Sequence, residues 1–82
     1  MGAFTYVYML QSLRLPGAYY VGRTGNLGVR LRTHNDGAAP ATRELRPWAI
    51  KTAVAFSDFN RAVAFERYLK SGSGRAFAKR HF

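Results

Sequence analysis

The amino-acid sequence predicts a small α+β domain: a three-stranded antiparallel sheet flanked by helices, in the order β-β-α-β-α-α. Three observations predict it. Two runs of β-branched and aromatic residues flank the turn dipeptide Pro16-Gly17, the pattern of a hairpin. Two later stretches space their apolar residues at helical period behind good capping residues. The chain's 82 residues, 48% hydrophobic and 15% aromatic, supply one core, so residues 1–82 are expected to form a single domain.

Phe4 to Leu10 is apolar on both alternating faces, which predicts a central strand with Phe4, Tyr6, Tyr8 and Leu10 on one side. Beyond the turn, Ala18 to Gly22 returns as a second strand on which Tyr20 and Gly22 share a face. Asn26 is a good N-cap, and Leu27 with Leu31 gives the stripe of a short helix ending near His34-Asn35-Asp36-Gly37. Gly37 to Pro47, with two prolines and several small residues, reads as an irregular loop. Trp48 to Phe56, with Ile50, Thr52 and Val54 between them on one side, reads as a third strand; one sequence does not fix its place in the sheet. Asp58 or Asn60 can cap a second helix running to about Lys70, with Phe59, Val63 and Leu69 on its buried side. Ser71-Gly72-Ser73-Gly74 predicts a break, after which Ser73 can cap a basic helix from Arg75 to His81, anchored by Phe77.

Thirteen Lys and Arg against four Asp and Glu leave a formal charge of +9, which a small domain tolerates best when its partner is a polyanion. Nucleic acid is the expected partner. The cations are spread along the chain and are not stacked on one amphipathic helix, which argues against a membrane surface. No run approaches the roughly 18 apolar residues of a spanning helix. The opening Met1-Gly2-Ala3-Phe4-Thr5-Tyr6 has no signal-peptide layout, so a cytoplasmic location is expected. The absence of cysteine excludes disulfides and thiolate zinc sites, so any metal should be a hard, oxygen-bound cation.

Three placements could carry chemistry. Arg30 and His34 lie four apart on one helix face, where a solvated flank is the plainer reading for any single Arg. Glu66 sits at the margin of a buried stripe and needs a cation, either Lys70 at i+4 or a metal ion of the kind held by one or two carboxylates plus water and phosphate oxygens. Tyr8 and Tyr20 converge near Arg30 if both face the first helix, although a buried tyrosine is more often plain core.

Taken together, Tyr6-Val7-Tyr8, the eleven residues Met9 to Tyr19, and Tyr20-Val21-Gly22 resemble the paired motif of the GIY-YIG nuclease family, with Tyr6 in place of the first glycine. Thr24, Asn26-Leu27, Arg30-Leu31 and His34-Asn35 resemble its helix pattern, and Phe65-Glu66 through Gly72 its glutamate segment. The chain is most similar to the small stand-alone members. The resemblance implies metal-dependent endonucleolytic hydrolysis of nucleic acid, DNA in preference to RNA, with Tyr8, Tyr20, Arg30, His34 and Glu66 as catalytic residues. Glu66 would hold Mg²⁺ or Mn²⁺, Arg30 would hold the phosphate, and Tyr8 would accept a proton from water while Tyr20 and His34 position groups or share that proton. A phenol titrates near 10, so positive charge from Arg30, Arg23 and the metal is expected to lower Tyr8, with activity rising toward alkaline pH.

Gly28 and Val29 fill positions often polar in the family, which bears on substrate contacts but not on that catalytic set. Arg23, Arg43, Arg46, Lys70, Arg75 and Lys79 are the candidate nucleic-acid contacts, and Thr42 can also reach a backbone phosphate. Gly22-Arg23-Thr24-Gly25 fits the GXXG loop of KH domains only weakly, because that loop joins two helices. Specificity is expected to come from the Gly37–Pro47 loop, the last helix, a homodimer or a partner protein. The alternative function is a basic module that binds nucleic acid without cutting it; a purely structural role stands third.

Overall fold

A computed structural model describes residues 3–82; Met1 and Gly2, the start of the segment read for targeting signals, lie outside it. The elements follow the predicted order: β1 (Thr5–Ser12), β2 (Tyr19–Thr24), α1 (Leu27–Asn35), a short 3-10 turn (Arg43–Leu45), β3 (Trp48–Phe56), α2 (Phe59–Leu69) and α3 (Gly72–His81). The sheet is antiparallel throughout, in the order β2-β1-β3. The third strand thus pairs with the free side of β1. No helix among the described residues is long and apolar enough to cross a membrane.

β1 is central and buried on both faces, as its unbroken apolar run requires. Val7 and Met9 pack with Ala62, Leu69 and Ala78 of α2 and α3, while Tyr8 and Leu10 pack with Trp48 under α1. One strand therefore feeds two cores through the period-two alternation of its side chains. It runs two residues further than expected because Ser12 has somewhere to put its hydroxyl: Oγ donates to the Leu45 carbonyl (2.6 Å) and accepts from the Leu15 amide (2.9 Å).

β3 departs from a simple alternation. Met9 pairs with Thr52 but Leu10 pairs with Ile50, so Lys51 is an extra residue and the strand bulges there. The expected single face is split: Trp48 packs with Tyr8 and Leu10 under α1, whereas Phe56 joins the α2/α3 core.

Asn26 caps α1 as predicted, its Oδ1 accepting from the Val29 amide at 3.0 Å. Asp58, not Asn60, caps α2, accepting from the Asn60 and Arg61 amides at 2.9 and 3.3 Å. Phe59 is 55% exposed and not buried as expected; as the first helical residue it lies beneath the Arg23 guanidinium, and Ala62 and Leu69 are the buried residues of that helix. The serine-glycine tract does not break the chain as far as predicted. Ser71 caps α3, accepting from the Gly74 amide at 3.1 Å, so the helix begins at Gly72. Gly74 is buried, and a Cβ there would run into the Tyr68 carbonyl, so the tract serves close approach of α3 to the end of α2.

Candidate active site

The α1 side of the sheet carries four of the predicted site residues. Tyr8 pairs across the ladder with Gly22, and its phenol lies over that glycine: a Cβ on Gly22 would come within 2.5 Å of Tyr8 Oη and 2.7 Å of its Cζ. The missing side chain lets the ring lie down between the sheet and α1. From α1, Arg30 Nε donates to Tyr8 Oη at 3.4 Å, and His34 Nε2 lies 2.9 Å from the same oxygen. The i,i+4 spacing delivers both heads to one phenol. Tyr20 meets the His34 ring edge-on, with centroids 5.1 Å apart.

His34 is wholly buried, and its other nitrogen, Nδ1, lies 2.7 Å from Thr42 Oγ1. The Thr42 hydroxyl donates to the Ala39 carbonyl (3.4 Å), so it accepts from Nδ1–H, and Nε2 is left with a lone pair for the Tyr8 hydroxyl. The network assigns the tautomer. It reads Arg30 to Tyr8 to His34 to Thr42, with each donor matched to an acceptor, and among the described residues no fully buried side-chain polar atom lacks a partner.

Thr42 is the residue that sequence reasoning misplaced. It was expected to reach phosphate; instead it is 1% exposed and orients His34, while its carbonyl accepts from the Trp48 indole at 2.8 Å. Asn35 fixes the same corner by accepting from the Trp48 amide (2.6 Å) and donating to the Trp48 carbonyl (3.0 Å). No periodicity marks Thr42, because it belongs to a loop whose shape comes from these long-range bonds. The available signal was a tryptophan at a strand start, whose buried N–H needs an acceptor.

Burial also corrects the expected acidity of Tyr8. Desolvation pushes its phenol above the usual 10, and this outweighs the hydrogen bond and positive charge of Arg30, which act to lower it. Tyr20 and Glu66 add smaller upward pushes. His34 is held below its ordinary value, first by burial and then by the Arg30 charge, so the imidazole is neutral at pH 7.

Glu66 projects from α2 into a neighbouring hollow of about 180 Å³ lined with Arg23, Val63, Arg67 and Lys70. Its side chain is 16% exposed; Oε1 accepts from Arg23 Nε at 2.8 Å and Oε2 from Lys70 Nζ at 2.9 Å. The i,i+4 partner read from the sequence is present, and Arg23 joins it across the β2 edge. Glu66 makes no hydrogen bond to the Tyr8 network; the two are coupled through space by charge. Among the described residues no three His, Asp or Glu side chains gather as a metal cage. One carboxylate with room beside it still fits a cation that keeps its waters and takes phosphate oxygens, and the half-exposed Lys70 ammonium is the group such an ion would displace.

The remaining basic candidates divide. Arg43 donates from Nε to the Gly37 carbonyl at 2.8 Å, and the Arg46 guanidinium packs over Gly37, whose φ of 81° no side chain would favour. Lys70, Arg75 and Lys79 instead rim a cavity of about 600 Å³ between the sheet and α3.

Residues 4–80 match the family described as the GIY-YIG catalytic domain. The chain belongs to the GIY-YIG family. It is 41% identical over 70 residues to a structure-specific endonuclease subunit SLX1 homolog of Leishmania infantum, covering 77% of this chain and 10% of that protein. A structure-specific endonuclease subunit SLX1 of Debaryomyces hansenii is 38% identical over 71 residues, 78% of this chain and 20% of that protein. A UPF0213 protein of Bacillus licheniformis is 42% identical over 55 residues, covering 66% of this chain and 57% of its own length. The chain thus spans less than two thirds of each of these relatives.

Proposed function

We propose that this GIY-YIG domain is a divalent-metal-dependent endonuclease acting on DNA. The observation that carries the reading is the hydrogen-bond chain from the partly buried Arg30 through buried Tyr8 and His34 to Thr42, since a phenol held between a guanidinium and a neutral imidazole can pass a proton. Tyr8 Oη donates to His34 and accepts from Arg30, which leaves one lone pair for a water. As that water attacks phosphorus and the P–O bond to the leaving oxygen breaks, the water's proton goes to Tyr8 Oη while the Tyr8 proton goes to His34 Nε2, and the leaving oxygen takes a proton from solvent. The net base is then an imidazole of lowered pKa, and the high pKa of the phenol is no obstacle.

Arg30, only partly buried, offers its remaining N–H groups to the phosphate and offsets the charge that grows in the transition state. Tyr20 holds the imidazole edge and closes the site on the β2 side. Glu66 would hold Mg²⁺ or Mn²⁺, and such an ion supplies positive charge against the phosphate and the leaving oxygen. The endonuclease names of the SLX1 relatives support the same reaction class.

A second reading has one observation in its favour. Arg23 and Lys70 already neutralise Glu66, as in a basic module that binds nucleic acid without cutting it. Incubation of branched, single-stranded and duplex DNA with the protein and Mg²⁺ or Mn²⁺ separates the two. Cleavage by the wild type that is lost in Glu66→Ala and falls steeply in Arg30→Ala is the expected result. Intact substrates under every condition, with binding retained, would establish the module.

A further inference from the structure

Tyr19 and Tyr20 are neighbours on the edge strand β2, so their side chains leave opposite faces of the sheet. Tyr20 goes to His34. Tyr19 stands on the other face with its side chain half in water, 49% exposed, at the mouth of the 600 Å³ cavity. The floor is apolar, formed by Met9, Val21 and Leu69, and Lys51, Lys70 and Lys79 stand around it. Among the described residues no acidic side chain lines the cavity. Its volume lies within the range of small-ligand sites, and an apolar slot with an exposed ring and a wholly cationic rim complements a flat, uncharged group on an anionic backbone. A second copy of this chain would bring another +9 against the rim.

The geometry points to a binding site for one unstacked nucleobase of a single DNA strand, seated against Tyr19 with its flanking phosphates on the lysines. The inference rests on the nuclease reading for the class of partner and for the direction of the strand. The cavity meets the proposed active site at Lys70, which stands between it and the Glu66 hollow, and at the β2 edge, where Tyr20 lines it with its ring turned to His34 on the other face. A strand crossing the β2 edge could therefore present one phosphate to Arg30 while a neighbouring base enters the cavity.

Fluorescence anisotropy tests this in EDTA, where no cleavage occurs, using a short labelled oligothymidylate and the same oligomer with abasic positions. The wild type should bind the thymidylate about tenfold more tightly than the abasic strand, the scale of one base stacked on an aromatic ring. Tyr19→Ala should remove that difference by weakening only the thymidylate complex, and Tyr19→Phe should restore it. Equal affinity of the wild type for both strands, or an equal loss for both in Tyr19→Ala, would overturn the assignment by leaving only phosphate attraction. Competition by phosphatidylglycerol vesicles that depends on Tyr19 would assign the cavity to a lipid and overturn it as well. Binding in EDTA is independent of turnover. Base-dependent affinity without cleavage would keep the cavity and sink the nuclease, and cleavage without base dependence would do the reverse.

Discussion

The two faces of the sheet are built from the same central strand and could hardly be more different. Toward α2 and α3, Val7 and Met9 meet alanines, Leu69 and a cluster of phenylalanine rings, a core whose members among the described residues carry no ionisable side chain. Toward α1, Tyr8 is buried almost as deeply but ends in a hydroxyl shared by an arginine and an imidazole. Burial on the first face stabilises the fold by removing apolar area from water. On the second it imposes a desolvation cost, which the hydrogen bonds offset and which leaves Tyr8 and His34 with perturbed acidities. One face holds the domain together so that the other can keep polar groups dry.

The sharpest way to break this division is to strip charge from the polar face. Arg30→Ala should lower cleavage by roughly 10²–10³-fold, the loss typical of one transition-state donor. Its denaturation midpoint should stay near wild type, since the arginine is only partly buried. Single-turnover cleavage and urea titration on the same preparations check both halves, and a large stability loss would erase the contrast.

The complementary lesion is Leu69→Ala, which opens the apolar core and should cost about 2–5 kcal/mol. Per folded molecule, cleavage should survive. Denaturant unfolding compared with rates normalised to the folded fraction decides this, and a stable but inactive variant would show that the faces are coupled.

Thr42→Val probes the boundary between them. It keeps the shape and removes the acceptor for His34 Nδ1–H, with an expected cost of about 1–3 kcal/mol for an orphaned buried donor. The nitrogen-15 shifts of His34 should report a change of tautomer that Thr42→Ser does not produce. Unchanged shifts in the valine variant would dissolve the proposed network.

The smallest effect is in pH. His34 titrates near 6.5 in the unfolded chain and lower in the fold, so as pH falls the unfolded state takes up the proton first. Its contribution to stability is complete above about pH 6.5 and is lost as pH falls through the folded value. Cleavage should fall over the same acid range as Nε2 becomes protonated. A His34→Gln variant whose urea midpoint shows the same acid dependence as wild type would place the effect elsewhere.

The strands and helices were legible in the sequence wherever side chains repeat with the period of the element. Alternation grouped Tyr8 with Leu10 and Tyr20 with Gly22 and left open which face α1 covers, and the four-residue spacing of Arg30 and His34 brought both to one phenol. Features without a period were not. The extra residue at Lys51 reverses the facing of half of β3, and nothing local announces it. Ser71 outcompeted Ser73 as the cap of α3 because Gly74 has to sit against the Tyr68 carbonyl, a tertiary demand. The acidity of Tyr8 came out with the opposite sign because proximity of charge can be read from spacing, whereas the dryness of a ring depends on everything packed around it.

Asn35 holds Trp48 by both its amide and its carbonyl, and so joins the end of α1 to the start of β3 like a clasp. Residues 36–47 form a loop whose base is already shut, so the entropy of bringing its ends together is met by that clasp and not by Thr42. Within the turn closed by the bonds from Thr42 to the Ala39 carbonyl, the exposed side chains of Pro40 and Ala41 can therefore change at little thermodynamic cost. The stretch from Thr42 back to the tryptophan cannot, because it sets which nitrogen of the imidazole carries hydrogen.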